Sequence, residues 1–368
     1  MRCVLFFISL LISIPCVAND SIGYLGAGGI EFKRTTDISM EREVLTISRS
    51  LIRVEYEFLN TSSFPISETV FFPMPFYGFD EGCSPQHSGQ LVGFKLWVDG
   101  VQQNTSRLVR AMLKDKDVTS RLRELGFSDE DIAEYRGVEG NCYSGNTVSS
   151  TGVFSKNMVI LSKEGLADIR NESGIMFATP LWKSAYYYSW NQVFPPKTVV
   201  RISHEYVPFL GGQSGEYNFA RLNELKSTYG NLLRNFCITD GTLHSGAEIQ
   251  GRMTTGTLQI PLEGLSGEEV SYILTTGANW AGAIKDFTLN LKKGSKDEIV
   301  SLCFDGKFKK QDDLTISLHE KNFIPRKDIT AIFFHVPLSR PANPDEIRYR
   351  PGYRKHKDQL TESIGVGK

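Results

Sequence analysis

His204 is the histidine best placed for chemistry. It shares one face of the stretch Thr198–Tyr206 with Val200, Ile202 and Tyr206, while Arg201, Ser203 and Glu205 occupy the other. An imidazole in a dry setting can act as a ligand or general base near neutral pH. The plainer expectation is a core histidine bonded to a carbonyl or a tyrosine hydroxyl, since buried polar groups are normally satisfied. Asp240 and His244, four apart just after Cys237, offer half a metal site or an acid–base pair. Within Thr239-Asp240-Gly241-Thr242, however, an aspartate commonly bonds its own backbone. Trp182, Tyr186, Tyr187, Tyr188 and Trp190 have flat faces on which a sugar ring stacks, but successive strand residues point to opposite sides, so one set must face inward. Trp182, Tyr187, Trp190, His204, Asp240 and His244 are therefore the binding candidates. No residue is nominated as catalytic, and no metal or cofactor is expected.

Familiar catalytic signatures fail at named positions. His204-Glu205 and His319-Glu320 begin like a zinc-protease helix, but Pro208 and Phe323 stand where the second histidine is needed. Gly26-Ala27-Gly28 meets Glu31 where a dinucleotide loop requires glycine, and no helix is predicted there. Neither a Gly-x-Ser-x-Gly elbow nor a phosphate loop opening a helix is present.

The elements that must position these residues are mostly strands. Ile52, Val54, Tyr56 and Phe58 alternate with Arg53, Glu55 and Glu57, the period of a half-buried strand. Leu91–Val98 runs into Asp99-Gly100, a two-residue hairpin signal. Further strands are predicted at 30–32, 44–47, 158–161, 185–190, 270–274, 287–291, 299–304, 314–318 and 329–336, with Asp305-Gly306 as a second hairpin turn. Between about 105 and 136, Leu108, Met112, Leu122 and Leu125 recur at helical spacing, Gly126 is a stop, and Ser128 to Asp131 reads as a capping box. Leu222 to Phe236 carries one helical face. Gly211-Gly212 breaks the strand pattern and marks a candidate domain boundary. The expected organisation is a leader at 1–18, a β-sandwich-like domain at 19–212 with a helical insertion, a second mainly β domain at 213–340, and a loose tail at 341–368. The fold class is mainly β (α+β).

Address comes from the first eighteen residues. Arg2, the apolar run Val4–Ile14 and Cys16-Val17-Ala18 have the order of a secretory signal, with cleavage expected after Ala18. The run is shorter than the roughly 20 residues of a membrane span. With a formal net charge of -1, nucleic acid is not an expected partner. Cys3 and Cys16 fall in the leader, leaving Cys83, Cys142, Cys237 and Cys303. An even number in an oxidising compartment points to disulfides. Three pairings are possible; we favour Cys237 with Cys303 and Cys83 with Cys142, each inside one proposed domain.

Several stretches together resemble a known family. They are Asn19-Asp20-Ser21, Gly28 to Phe32, Ile38 to Glu41, Val54 to Asn60, Phe72-Pro73-Met74-Pro75, Trp190 to Pro195, His204 to Pro208, Tyr272 to Trp280 and Ser301-Leu302-Cys303. As an ordered set over most of residues 19–335 they resemble DUF4424, exported bacterial proteins of unknown function. The resemblance implies a Gram-negative periplasmic setting and brings no catalytic residue. A weaker likeness, through Phe72–Pro75, Val92-Gly93-Phe94 and Val193 to Tyr206, is to vault/inter-α-trypsin type β-sandwiches, which are interaction modules. The expected function is a non-catalytic periplasmic binding protein whose partner is an envelope protein or cell-wall component, with no transmembrane anchor. The alternatives are a hydrolase-like periplasmic enzyme using His204 or Asp240 with His244, and a metal-binding protein.

Overall fold

Period-two segments become paired strands in a computed structural model, which describes residues 19–26, 29–79, 92–135, 153–172, 175–208, 210–255 and 264–337. The leader, the tail after 337, Cys83 and Cys142 lie outside the described residues. An eight-stranded sheet runs in the order Lys309–Lys310, Thr315–Phe323, Ile284–Lys292, Ile38–Ile47, Ile52–Asn60, Val199–Val207, Val92–Val98, Val101–Gln103. Ile52, Val54, Tyr56 and Phe58 are all buried, and so are Val200, Ile202, His204 and Tyr206 beside them. The predicted faces are the observed ones, because a strand with one apolar side has a single register that keeps that side dry. Asp99 and Gly100, with φ of 48° and 82°, form the hairpin turn joining the last two strands.

A seven-stranded sheet centres on Lys183–Phe194 and Ile66–Pro73 and includes Ser21–Gly26 and Gly29–Phe32. A four-stranded sheet runs Leu210–Tyr217, Leu265–Tyr272, Ile329–His335, Ile299–Leu302. Both face the inner side of the eight-stranded sheet across one hydrophobic core. That core holds Val70, Phe72 and Tyr186 from one, Val270, Tyr272 and Phe333 from the other, and Leu45, Val54, Phe58 and Leu289 from the large sheet. The fold is thus mainly β and sandwich-like. A smaller cluster, with Phe219, Phe236, Leu243 and Phe334, seats helices on the outer side of the four-stranded sheet.

The two expected domains are woven together. Ile284–Lys292 lies parallel to Ile38–Ile47, so late strands complete a sheet begun by early ones. Gly211-Gly212, the candidate boundary, falls inside the strand Leu210–Tyr217 and pairs with Glu269 and Glu268. Parallel pairing between distant segments leaves no local signature, since the crossover can be any length.

Several helical expectations change. Ser106–Leu113 is a strand paired with Lys183–Ser189, burying Val109 and Ala111; Leu108 and Met112 fit helical spacing only by coincidence. Helices follow at Thr119–Glu124 and Asp129–Glu134. Gly126 has a φ of +87°, which stops the first, and Ser128 with Asp131 makes the reciprocal capping box of the second. Replacing Ser128 by Ala should therefore lower stability by about 1 kcal/mol in a urea titration; an unchanged midpoint would mean that the cap contributes nothing. Met158–Leu161, expected as a strand, lies in the helix Val153–Lys163, whose Phe154 and Leu161 are buried seven residues apart. Short apolar runs suit either element. Asp305-Gly306 joins no hairpin, because Ile299–Leu302 pairs with Ile329–His335.

The helical face at 222–236 is split at Tyr229 into Leu222–Thr228 and Gly230–Asn235. The helix Asp240–Thr255 gave no sequence signal because Gly241, Gly246 and Gly251 lower its propensity. Gly246 is required by packing, for a Cβ there would come within 2.2 Å of the Phe219 ring. Cys237 and Cys303 are disulfide-bonded, Cα atoms 5.0 Å apart, tying this helical layer to the four-stranded sheet.

Candidate functional site

His204 sits in the core, fully buried, among rings. The ring centroid of Phe72 is 4.4 Å away, that of Phe94 5.5 Å and that of Tyr56 5.7 Å. Its Nε2 lies 3.3 Å from Asp20 Oδ1. That is ion-pair distance without hydrogen-bond alignment, and both Asp20 oxygens and both ring nitrogens are left without a hydrogen-bonded partner. Beside them Asn19 Nδ2 donates to both oxygens of Glu43 at 3.3 Å. Tyr56 and Tyr272 hydroxyls meet at 3.0 Å and both donate to Asn19 Oδ1. Trp280 Nε1 donates to the Asp20 carbonyl at 2.7 Å.

Burial governs the electrostatics here. It raises the Asp20 carboxyl, against the opposing pull of His204. It pushes the Glu43 carboxyl up to about 8, a rise that the Asn19 amide opposes and the Asp20 charge reinforces. Tyr56, Tyr206 and Tyr272 are held well above the usual phenol range by the same desolvation. Sequence reasoning found His204 but missed Asn19, Asp20, Glu43 and Tyr272. One signal was available: Glu43 lies two and four residues before Leu45 and Ile47, in phase with the buried face.

The remaining candidates are not brought to this cluster. Asp240 and His244 lie on the exposed side of a helix, Asp240 2.9 Å from Lys226 and His244 3.3 Å from Glu248. Trp182 is buried, its ring stacked on Tyr135 and its Nε1 donating to the Ile132 carbonyl. Tyr187 is buried on the other side of its strand, with Ile30, Phe71 and Ala185. Trp190, also buried, borders a cleft of about 460 Å³ lined by Thr69, Asn104 and Asn191. These rings fill the interior, so they present no open aromatic platform. Among the described residues, no group of three or more His, Cys, Asp or Glu side chains is arranged to hold a metal.

An open trough of about 810 Å³ lies on the outer face of the eight-stranded sheet. Register places Lys309, Ser317, Asn290 and Thr46 in one row across four strands. Ser317 Oγ donates to Asn290 Oδ1 at 2.5 Å, and Asn290 Nδ2 to Thr46 Oγ1 at 3.3 Å. Lys292 and Lys307 stand at the rim, both exposed. Among the described residues, none of these three lysines has a carboxylate within ion-pair distance, whereas neighbouring Lys321 and His319 share Asp286 at 2.6 Å each. The outer face further along is self-neutralised by Arg53, Glu55, Lys95 and Glu205. The trough is thus a cationic, hydrogen-bonding surface open to solvent, suited to a flexible ligand with carboxylates or phosphates. No sequence pattern marks it, because it joins strands 240 and more residues apart.

The family model described as Domain of unknown function (DUF4424) matches residues 18–332. The chain belongs to the DUF4424 family. Four of the stretches that carry the resemblance meet in space at the buried cluster. Asn19, Asp20, Tyr56, His204, Tyr206, Tyr272, Thr276 and Trp280 all take part in it, although they are drawn from four separate segments. Gly277 belongs there too, since a Cβ on it would come 2.9 Å from Asn19 Nδ2. No curated protein matches the chain. Among solved structures, it is similar to a candidate nutrient binding protein from Legionella pneumophila, with 13% identity, a TM-score of 0.38 and coverage of 95% of this chain and 81% of that one. It is also similar to an M1 zinc metallopeptidase from Deinococcus radiodurans, with 7% identity, a TM-score of 0.27 and coverage of 82% and 43%. Likenesses this distant say nothing of what this DUF4424 protein binds. No helix among the described residues is long and apolar enough to cross a membrane.

Proposed function

We propose that this DUF4424 protein is an exported, non-catalytic binding protein of the bacterial periplasm, whose ligand is an acidic cell-wall component held in the lysine-lined trough. The observation that carries this reading is the pairing pattern there: among the described residues, Lys292, Lys307 and Lys309 have no carboxylate within ion-pair distance, and they stand beside a row of hydroxyl and amide groups. Unpaired cations over a polar sheet favour anions that bring both charge and hydrogen-bonding groups. Residues 1–18 and the Cys237–Cys303 disulfide support the compartment. The titratable cluster around His204 is sealed in the core and borders neither cleft, which weighs against catalysis by that histidine. The test is calorimetric titration of the purified protein with a soluble, carboxylate-bearing muropeptide at low and high salt. Binding should weaken with salt, and the double variant Lys307→Gln with Lys309→Gln should weaken it roughly tenfold, about 1.4 kcal/mol. Equal affinity in wild type and double variant would remove the trough from the function.

A further inference from the structure

The first described strand begins inside the protein. Asn19, Asp20 and Ser21 are all buried to 0% exposure. The Asn19 backbone nitrogen donates to Thr276 Oγ1, while the Asn19 side chain is held by Glu43, Tyr56 and Tyr272. Two carboxylates share this pocket. Among the described residues, the one ion-pair partner either of them has is His204, and Asp20 keeps two buried oxygens without a hydrogen bond. Buried carboxylates ordinarily carry a compensating cation or donors, and orphaned ones call for a missing partner.

We infer that the missing cation is the protein's own α-ammonium group: cleavage between Ala18 and Asn19 converts the Asn19 backbone nitrogen into a buried –NH3+ that completes the Asp20 and Glu43 pocket. The inference rests on the reading of residues 1–18 as a cleaved leader. In the step itself a signal peptidase adds water across the peptide bond. The hydroxyl passes to the Ala18 carbonyl carbon, giving a carboxylate, and protons from water and solvent make the Asn19 amine an ammonium. An ammonium has three N–H donors where the peptide nitrogen had one. Thr276 Oγ1 accepts one, and the others are available to Asp20 and the oxygens around it. Asn19's own amide contacts Glu43, so the new charge lies within one residue's span of the second carboxylate. The titratable groups around Asn19 are Asp20, Glu43 and the hydroxyls of Tyr56 and Tyr272, with His204 and Tyr206 acting on Asp20 in turn. Gly277 and Pro325 close the pocket wall: a Cβ on Gly277 would lie 2.9 Å from Asn19 Nδ2 and 3.3 Å from Pro325. The pocket is therefore a receptor for one amino terminus, complete only after export and processing.

The experiment uses protein recovered from the envelope of the native cell. Its first residue is determined by amino-terminal sequencing, and the folded protein is then treated with a low dose of acetic anhydride. Peptide mass spectrometry should show the Asn19 α-amine acetylated roughly a hundredfold more slowly than exposed Lys307 and Lys309, because it reacts only through local opening. In denaturant the difference should vanish. An α-amine that begins at Asn19 but labels as fast as those lysines overturns the inference alone. A first residue other than Asn19 overturns the leader reading along with it. Separately, a chain produced with one glycine ahead of Asn19 should melt roughly 5 °C or more below the authentic form, and equal melting would also overturn the docked terminus.

Discussion

Replacing Glu43 by Gln is expected to flatten the pH dependence of stability between about pH 4.5 and pH 8 in the chain that carries Asn19 in peptide linkage. Burial raises this carboxyl from 4.5 to about 8 in the folded protein. The folded state therefore holds a proton that the unfolded state releases. Such a group contributes its full stability below the unfolded value, and the contribution is lost as pH rises through the folded value. The gap corresponds to roughly 5 kcal/mol. Urea titrations at pH 5 and pH 8 should show most of that loss in the wild type and little of it in Glu43→Gln. Asp20 is also raised by burial and pulls in the same direction. It is present in both proteins and its charge acts on Glu43, so the difference between them reports Glu43 together with that coupling. A wild type equally stable at both values would show that Glu43 stays ionised in the core. The same comparison made with the amino terminus free at Asn19 should give a shallower slope, because a nearby ammonium favours the carboxylate.

Cys237→Ser with Cys303→Ser should destabilise the protein by about 4 kcal/mol, the loop entropy released when a crosslink over 66 residues of sequence separation is removed. The loop so closed contains the helix Asp240–Thr255 and the strands Leu265–Tyr272 and Ile284–Lys292. Loosening should be greatest where the helices meet the four-stranded sheet, at Phe236, Leu243 and Phe334. Hydrogen exchange should accordingly accelerate in the helices before it does in Ile52–Asn60. A double variant with the parent melting point and unchanged exchange would mean that packing alone holds the layer.

These two sites were legible to different degrees. The Cys237–Cys303 pair was expected from compartment and cysteine number, although the two-domain argument behind the choice does not describe this fold. His204 was placed on a buried face by alternation alone, and that face is the one observed. Its neighbours were not found, because Asp20 directly precedes a strand of the seven-stranded sheet, while Glu43 and Tyr272 lie in strands of the eight- and four-stranded sheets. The trough was invisible for a similar reason. Lys309 and Thr46 are polar surface residues in their own segments and form a row only through two antiparallel pairings and one parallel pairing.

By itself the sequence determined which segments alternate, which of their faces are dry, where the Asp99-Gly100 turn and the Ser128 cap lie, and the family. The family rests on an ordered set of stretches along the chain; the other features depend on period and local backbone chemistry, which a few neighbouring residues specify. Tertiary structure decided that Ile284–Lys292 joins Ile38–Ile47, that Ser106–Leu113 is a strand, and that Asn19 and Glu43 share a buried pocket. Such outcomes depend on which distant surfaces cover each other, and the free energy of burial is assigned only when the whole core closes.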